Sequence, residues 1–574
     1  MSRFPVAPFD PARYIGTVCQ IDPSMVRVNL PHAASPVSGH HAGYAMPAGQ
    51  VGEFVLIEGE EYAIVGRITE VKLPERDRLT VEPTADTDSV ANPIGLVQLL
   101  TSLELASGKA VRGIPALPRI AQHVFSAHPS LIKYAIEQGY ETDRSIRLAS
   151  LSHSLNTVVS LTPEALFGRH CAVLGTTGGG KSWTVARLVE EIVRLNGKVI
   201  LFDATGEFKA LNTGVRHVYL GGQKENDEDK REFVGYPFYQ LSESDIFVLF
   251  NPTGASQAPK LREALRSLKL AHLCKDLAPE GYIPKINRTK EIVQQQLIQN
   301  TALLDQDGAF YDIQFLAKQI QEECAYPSAN FGKDHTKWGD AGNELTYCTS
   351  LIARIETTLK SPFMACIFKP DGLIPLPQMV EDFMKSNHSA LRISMEYLPF
   401  EHNTRELVTN AVGRYLLKLA RTGSFRTNPT VVVLDEAHQF LDKSLGDEYS
   451  RVSLESFGVI AKEGRKYGLT TVLATQRPRD IPEDVLSQMG MFIVHRLINE
   501  KDRQVVERAC GNMDASAAAF LPTLGQGEAI LVGVDSPMPL PVHIIPPQAT
   551  PQSEGPQYSS HWKAAASTNN GCTK

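Results

Sequence analysis

The stretch "AVLGTTGGGKSWTVARLVEEIV", residues 172–193, decides the fold of this chain. It opens with the apolar end of a buried strand, and after the glycines apolar residues recur at helical spacing. The turn between strand and helix fits the pattern G-x-x-x-x-G-K-[ST] at Gly175, Gly180, Lys181 and Ser182. In this pattern bare backbone N–H groups and a helix N-terminus form a positive cradle for phosphate oxygens. We therefore expect a nucleoside triphosphate to bind here.

Within this motif each part has its own expected task. Lys181 would bridge the β- and γ-phosphates of ATP, and the hydroxyl of Ser182 would hold Mg²⁺. The full set of expected nucleotide contacts in this stretch is Gly175, Thr177, Gly178, Gly179, Gly180, Lys181, Ser182 and Trp183. The alternative is a glycine-rich turn that carries a lysine without binding phosphate, and the flanking strand and helix argue against it.

Size and composition bound the class of protein. The 574 residues exceed one compact core, and a hydrophobic share of 43% with 21% charged residues is ordinary for a globular protein. No apolar run is long enough for a membrane span, and the N-terminus lacks the features of a signal peptide. We therefore expect a cytoplasmic protein with no membrane contact.

The net charge of −7 does not by itself indicate a nucleic-acid binder, because phosphate affinity comes from locally clustered Lys and Arg. Basic residues do exceed acidic ones between 260 and 290. This local excess is either a DNA contact or a solvated helix face.

The chain divides into segments of different pattern. Short β-rich runs within residues 1–110 predict a small antiparallel β-barrel. Apolar runs that alternate with helices over 150–210 and 388–545 are typical of a parallel sheet covered on both faces, so the fold class is α/β. The segment 211–387 is predicted to be a helical insertion, and the Pro-, Ser- and Gln-rich segment 546–574 to be a flexible tail.

A second part of the expected site follows the apolar run that ends in "VVVLDE", residues 431–436. Asp435 suits the task of holding Mg²⁺, and Glu436 suits the base that polarises the attacking water. Gln476 ends the run "LATQ", where it either senses the γ-phosphate or is an ordinary polar residue at a strand end.

Five blocks of sequence resemble one family. They are "LGTTGGGKS", "LFDATGEF", "VVVLDEAHQFL", "AKEGRKYGLTTVLATQRP" and "FIVHRL". Their order and wording are those of the HerA-type ATPases, hexameric DNA translocases related to the FtsK motors. The resemblance implies a RecA-like P-loop ATPase core with a helical insertion, and the N-terminal barrel resembles the family's HAS barrel.

The same resemblance implies a homohexamer in which ATP lies between neighbouring subunits. An arginine supplied in trans would then stabilise charge on the transferring phosphoryl group. Arg465 in "EGRKYG" is the first candidate for this role, and Arg496 in "VHRL" is the second. The family block D-x-x-G-E matches Asp203, Gly206 and Glu207, which implies a place for Asp203 at the nucleotide site and for Glu207 either at that site or at an interface. The proline usual after the aspartate is replaced.

Relatives of this kind act with a separately encoded effector. The resemblance therefore implies double-stranded DNA in a basic-lined channel and a nuclease or a sirtuin-like NAD hydrolase docked on the barrel, in an antiviral defence system. One alternative is a DNA end-resection motor paired with a repair nuclease, and another is an ATP-gated ring that scaffolds an effector with little DNA translocation. A two-motor DEAH helicase is disfavoured, because too little chain follows the acidic pair for a second motor domain.

Overall fold

The computed structural model describes residues 4–31, 33, 39–41, 44–46, 49–73, 92–137, 144–224, 226, 228–330, 332–370, 372–399, 403–441, 444–446, 451–511, 513, 515–552 and 558. None of the helices in these ranges is long and apolar enough to cross a membrane. Of the predicted tail 546–574, the part beyond 552 lies outside the described residues except for position 558.

The N-terminal part of the chain forms a small antiparallel β-barrel. Its strands, with one separate hairpin, are β1 (Tyr14–Ile21), β2 (Met25–Asn29), β3 (Gly39–His41), β4 (Tyr44–Met46), β5 (Phe54–Ile57), β6 (Tyr62–Lys72), β7 (Ile94–Glu104), β8 (Ala110–Arg112) and β9 (His123–Ser126). Hydrogen bonding runs in the order β2, β1, β9, β5, β6, β7, and pairing of β2 with β7 closes the ring. β8 adds to β7 outside the ring, and β3 pairs only with β4.

Alternation of burial explains why these short runs form a barrel. In β2, Val26 and Val28 are buried while Arg27 between them is exposed, so apolar side chains fill the interior. The barrel continues past residue 110, the limit expected from the sequence, because β9 pairs with both β1 and β5. The run "HVFS" of β9 is too short for its periodicity to distinguish it from a loop.

A thirteen-stranded sheet forms the second part of the molecule. The remaining strands are β10 (Ile146–Leu151), β11 (Ser154–Leu161), β12 (Cys171–Leu174), β13 (Lys198–Asp203), β14 (Val215–Leu220), β15 (Glu232–Gly235), β16 (Ile374–Pro375), β17 (Ala390–Ser394), β18 (Thr430–Leu434), β19 (Ser444–Leu445), β20 (Val452–Ser453), β21 (Leu469–Thr475), β22 (Met491–Val494), β23 (Glu528–Gly533) and β24 (Leu540–Ile544). The sheet order is β11, β10, β24, β23, β22, β12, β21, β18, β13, β17, β14, β15, β16, and β19 pairs with β20 apart from it.

The strands from β22 to β16 in this order run parallel, and β23, β24, β10 and β11 extend the sheet in antiparallel fashion. β12, β17 and β18 are buried along their whole length. This is what a parallel strand covered on both faces requires. The predicted α/β fold class with a preceding β-barrel is confirmed.

Helices cover the faces of the large sheet and build the insertion. Those of the described ranges are α1 (Pro129–Ile136), α2 (Pro163–Phe167), α3 (Lys181–Arg194), α4 (Glu243–Phe250), α5 (Gly254–Leu273), α6 (Glu291–Gln299), α7 (Thr301–Leu304), α8 (Leu316–Glu323), α9 (Glu344–Lys360), α10 (Ala365–Phe368), α11 (Leu376–Lys385), α12 (Thr404–Arg421), α13 (Ser456–Glu463), α14 (Glu483–Leu486), α15 (Glu500–Ala509) and α16 (Ala515–Phe520).

The segment 211–387 is not helical throughout. Its strands β14, β15 and β16 extend the parallel sheet beyond β17, with Val215 of β14 opposite Ala390 of β17. β14 is only partly buried, so its sequence lacks the continuous apolar run that marks the central strands. The helical part of the insertion therefore spans α4 to α11.

The basic residues between 260 and 290 are used in part within the insertion. The Lys260 ammonium lies 3.0 and 3.2 Å from the carboxylates of Glu263 and Glu344. Arg262 lies 2.6 Å from Glu243. At these positions the local excess of positive charge is neutralised by the insertion's own glutamates, which favours the interpretation as a solvated helix face.

The barrel has its own buried interior, which contains Val26 and Val28, and a second hydrophobic cluster joins the barrel to the large sheet. Phe54 and Leu56 of β5 belong to the same buried cluster as Leu148 of β10 and Met491 of β22. The barrel is therefore packed onto the sheet rather than attached through a linker alone.

A buried ion pair fixes the end of β13. The side chains of Asp203 and Arg392 are both 0% exposed, and Arg392 Nε lies 2.7 Å from Asp203 Oδ2. The Asp203 carboxylate also accepts the backbone N–H groups of Gly206, Glu207 and Phe208 at 2.8 to 3.1 Å. The pair thus ties β13 and β17 to the turn that follows β13.

Arg392→Met is expected to destabilise the protein by about 3 kcal/mol, because it leaves a buried carboxylate without its counter-charge. Thermal unfolding measures this as a lower melting temperature. The control is Lys209→Met at the ion pair with Glu396, where the lysine side chain is 40% exposed and the expected cost is about 0–1 kcal/mol. Equal melting temperatures for the two variants would contradict the expected role of the buried pair.

Candidate functional site

The glycine-rich loop lies between β12 and α3, at the edge of the sheet where the parallel strands end. Gly178 and Gly180 have φ angles of 73° and 114°, a region that favours glycine. A Cβ on Gly175 would lie 2.6 Å from the Cβ of His495, which is too close for any side chain. A Cβ on Gly178 would meet nothing within 4 Å. The loop is therefore tightly packed against His495 at Gly175 and open at Gly178.

Helix α3 presents its N-terminus to this loop. No side chain caps the helix at Gly180, so the N–H groups of the first turn remain available to an anion. Ser182 and Trp183, both half-buried, lie in that first turn. Loop and helix end together form a concave donor site suited to phosphate oxygens.

Lys181 is the buried cation of the site. Its side chain is mostly enclosed, and its ammonium donates to the carbonyl oxygen of Thr176 at 3.1 Å. Burial lowers the pKa of Lys181, whereas the negative charges of Glu436, Asp435 and Glu207 raise it. The negative charge of these three carboxylates therefore acts on the amine that is predicted to bind the phosphates.

Asp435 and Glu436 follow β18 at the same edge of the sheet. Burial raises the pKa of Asp435 well above its usual range, and the charges of Glu436, Asp203 and Glu207 raise it further. Burial also raises the pKa of Glu436, but two side-chain hydrogen bonds and nearby positive charge outweigh this effect, so its pKa is lowered. Asp435 therefore favours a proton or a bound cation, whereas Glu436 remains a base.

Glu436 is tied to the glycine-rich loop by a chain of side-chain contacts. The Gln476 amide donates a short hydrogen bond to Glu436, and its oxygen accepts one from the Thr177 hydroxyl. On the other side of Glu436, His438 Nδ1 lies 3.3 Å from Glu436 Oε2 and 3.2 Å from Thr475 Oγ1. Gln476 thus lies between the loop and the base, and its contact with a γ-phosphate stays a prediction.

Asp203 is engaged with its own turn and with Arg392, as described above. It shapes the turn that carries Glu207, and its own charge, like that of Glu207, raises the pKa of Asp435. A direct contact of Asp203 with nucleotide stays a prediction.

The two candidate arginines lie at opposite ends of the parallel strands, Arg465 before β21 and Arg496 after β22. Arg465 is exposed in a short 3₁₀ helix, Gly464–Tyr467, that precedes β21. The seven residues of β21 then span roughly 20 Å to the edge that holds the loop, so Arg465 does not reach its own loop. Arg496 is exposed and follows β22, and its carbonyl oxygen accepts the N–H of Thr176 at 2.9 Å. Only Arg496 therefore borders the loop of its own subunit.

The donor set fits a nucleoside triphosphate with Mg²⁺. The Ser182 hydroxyl and the Asp435 carboxyl are the hard oxygen donors that Mg²⁺ prefers. The crowding of carboxyls that raises the pKa of Asp435 is a repulsion that a divalent cation relieves. The open side of the loop at Gly178 leaves room for phosphate groups.

Three residues beside the site were missed in the sequence, namely His438, His495 and Arg392. Both histidines fall inside blocks that carry the family resemblance, but a single histidine has no spacing pattern that identifies its partner. The hydroxyl partners of His438 and His495 lie 37 and 311 residues away along the chain. Only the tertiary fold brings them together.

Two family models match this chain. The model described as "Helicase HerA, central domain" matches residues 146–343, and "Helicase HerA-like C-terminal" matches residues 417–564. The first range contains the glycine-rich loop, and the second contains the acidic pair at 435–436.

Curated relatives agree with these models. The DNA double-strand break repair helicase HerA of Sulfurisphaera tokodaii is 32% identical over 424 residues, which cover 74% of this chain and 74% of that protein. The DNA double-strand break repair helicase HerA of Saccharolobus solfataricus is 24% identical and covers 74% of this chain and 73% of that protein.

Among solved structures, VirB4 of Thermoanaerobacter pseudethanolicus aligns with a TM-score of 0.44 at 15% identity, covering 74% of this chain and 100% of that chain. With both family models matched and a relative above 30% identity over most of its length, the chain belongs to the HerA helicase family and is an ATP-hydrolysing enzyme.

Proposed function

We propose that this protein is a hexameric, ATP-driven DNA translocase that works with a separately encoded effector. One contact chain supports the motor function best: the side chains of Thr177, Gln476 and Glu436 join the phosphate-binding loop to the base within one subunit. Through these contacts a nucleotide bound in the loop can change the position of Glu436.

Each residue of the site has a task in hydrolysis. The loop N–H groups and Lys181 bind the β- and γ-phosphates. Glu436 is ionised at neutral pH, since its pKa is lowered, and it orients the attacking water. Ser182 and Asp435 would hold Mg²⁺, which supplies positive charge to the phosphate oxygens when bound.

The ring arrangement is supported by the place of Arg465. An exposed arginine at the far edge of the sheet does not serve its own loop but is accessible to a neighbouring subunit. In a closed ring each subunit would supply Arg465 to the phosphates that its neighbour holds.

Double-stranded DNA is assigned to a basic-lined channel of this ring. The net charge of −7 makes local clustering of Lys and Arg a requirement, because the whole particle repels a polyanion. DNA binding should therefore weaken steeply with salt.

The effector decides the biological role. With a nuclease or a sirtuin-like NAD hydrolase the motor serves antiviral defence, which is the role implied by the family resemblance. The names of the curated relatives favour the alternative, a motor for double-strand break repair. The remaining alternative, a ring scaffold with little translocation, predicts an ATPase rate that double-stranded DNA does not raise.

We assign effector docking to the barrel. Leu117 and Ile120, in the loop between β8 and β9, are 51% and 68% exposed. Two exposed apolar side chains three positions apart on one loop offer an apolar contact to a partner. Because a hydrophobic cluster joins the barrel to the sheet, substitutions on this loop test docking better than removal of the whole barrel.

Lys181→Ala and Glu436→Gln are expected to separate binding from hydrolysis. Lys181→Ala should lose ATP binding, because it removes the buried cation that is predicted to compensate the charge of the β- and γ-phosphates. Glu436→Gln should keep ATP binding and lose about 10²–10⁴-fold in hydrolysis rate, since it keeps the shape and loses the base. Calorimetry with ATP and a phosphate-release assay measure the two properties.

The matched controls are Lys360→Ala and Glu356→Gln, an exposed pair on α9 that should leave both properties unchanged. Normal turnover in Lys181→Ala would contradict the site. Loss of ATP binding in Glu436→Gln would contradict the division of tasks between Asp435 and Glu436.

Arg465 is expected to act across a subunit boundary. Mixing Arg465→Ala subunits with Lys181→Ala subunits should restore part of the ATPase activity, because some boundaries then pair an intact loop with an intact arginine. Native mass spectrometry verifies the mixed rings, and Arg496→Ala replaces Arg465→Ala in a parallel mixture. Absence of recovery in verified mixed rings would contradict the trans role of Arg465.

Leu117→Asp combined with Ile120→Asp is expected to abolish co-purification of the effector and to leave the ATPase rate unchanged, because charge is costly in a buried apolar contact. Mass spectrometry of the purified complex identifies the effector as a nuclease or an NAD hydrolase. The control is Leu155→Asp, since Leu155 is 62% exposed on β11 outside the barrel. An effector retained by the double variant would place docking on another surface.

A further inference from the structure

His495 lies directly beneath the phosphate-binding loop. It follows β22 and is fully buried. Its backbone N–H donates to the carbonyl oxygen of Leu174, the last residue of β12, at 2.7 Å. A Cβ on Gly175 would clash with its Cβ, and a Cβ on Gly180 would lie 3.2 Å from its Cε1. The loop glycines therefore pack directly against His495, whose imidazole forms the floor of the loop.

Two hydrogen bonds fix the ring of His495. Nδ1 lies 2.9 Å from the backbone carbonyl oxygen of Glu528 in β23, and Nε2 lies 2.8 Å from the hydroxyl of Thr184 in α3. A carbonyl oxygen only accepts, so Nδ1 carries the proton and donates. In the neutral ring Nε2 then accepts the hydroxyl proton of Thr184.

The neutral form of this ring is the one that the surroundings favour. Burial and the charge of nearby Lys181 lower the pKa of His495 to about 4, although the contact with Glu528 raises it. An imidazolium here would add a second buried positive charge beside Lys181.

The Thr184 hydroxyl lies within hydrogen-bond distance of two acceptors, and His495 Nε2 at 2.8 Å is the nearer one. The hydroxyl also lies 3.1 Å from the carbonyl oxygen of Gly180, four residues earlier, but it has only one proton to donate. With that proton given to His495, the bond ties the first turns of α3 to the floor of the loop. The N–H of Gly527, next to Glu528, also donates to the carbonyl oxygen of Gly179 at 3.3 Å.

We propose that His495 and Thr184 are positioning residues that hold the phosphate-binding loop in its ATP-binding shape. Neither side chain needs to touch nucleotide for this role. The inference rests on the loop being the ATP site. It predicts an effect chiefly on ATP affinity, because Glu436 keeps its own contacts with Gln476 and His438, neither of which involves His495 or Thr184.

The test compares Thr184→Val with Thr184→Ser. Valine keeps the shape and removes the hydroxyl, so it leaves a buried ring nitrogen without a partner. We expect about a tenfold higher KM for ATP, with kcat within about twofold of the original protein. Serine keeps the hydroxyl and should restore KM. ATPase kinetics, calorimetry with ATP and the melting temperature are measured on the same samples.

Thr349→Val is the matched control. Thr349 lies on α9, and its hydroxyl also contacts the carbonyl four residues earlier at 3.1 Å, but it is exposed and lies outside the site. This variant should change neither KM nor kcat.

His495→Asn supplies a second variant in case Thr184→Val does not fold. The asparagine amide nitrogen occupies the position of Nδ1, so the bond to Glu528 is kept and the bond to Thr184 is lost. It should raise KM as Thr184→Val does, and the double variant should raise it no further.

If Thr184→Val lowers the melting temperature and leaves KM unchanged, the pair is merely structural and the proposal is overturned. The proposal also fails if Thr184→Val changes neither KM nor the melting temperature, or if Thr184→Ser does not restore KM. Lys181→Ala tests separately whether the loop is the ATP site. If Lys181→Ala abolishes ATP binding while Thr184→Val leaves KM unchanged, only the positioning role fails.

Discussion

The in-register ends of the central parallel strands are the constraint on which the site depends. Leu174 of β12 lies opposite both Thr475 of β21 and Val494 of β22, and Phe202 of β13 lies opposite Leu434 of β18. Residues that directly follow neighbouring strands ending at one level lie close together. The loop lysine, the acidic pair, the bridging glutamine and the floor histidine come together for this reason, although more than three hundred residues separate the lysine from the histidine.

The site buries side chains of opposite charge close to one another. Lys181 and Asp435 are both buried, and each shifts the pKa of the other toward its charged form. A lone buried charge of either sign would be costly. Lys181 offsets only part of the repulsion that Asp435 feels from Glu436 and Glu207, so the pKa of Asp435 stays raised, and a divalent cation bound with the phosphates would relieve the rest. Such low-dielectric surroundings would strengthen polar contacts to a bound nucleotide.

Packing places the barrel in contact with the motor. The shared cluster that contains Phe54 and Leu148 joins the barrel to the antiparallel extension of the sheet, and that extension reaches the site through β23, whose Glu528 carbonyl accepts from His495. An effector held on the barrel would therefore sit on a rigid support continuous with the floor of the loop. Ion pairs such as Lys260 with Glu263 instead stabilise the insertion itself.

The sequence by itself determined the α/β class, the preceding barrel, the loop motif around Lys181 and the acidic pair, because each depends on local periodicity or on fixed short spacing. It missed β9 and the strands β14 to β16, whose runs are short or half-exposed. Only the tertiary structure decided that Asp203 pairs with Arg392, that Gln476 contacts Glu436, and that His495 supports the loop. These contacts join distant strands, and distance along the chain carries no record of which strand ends will meet.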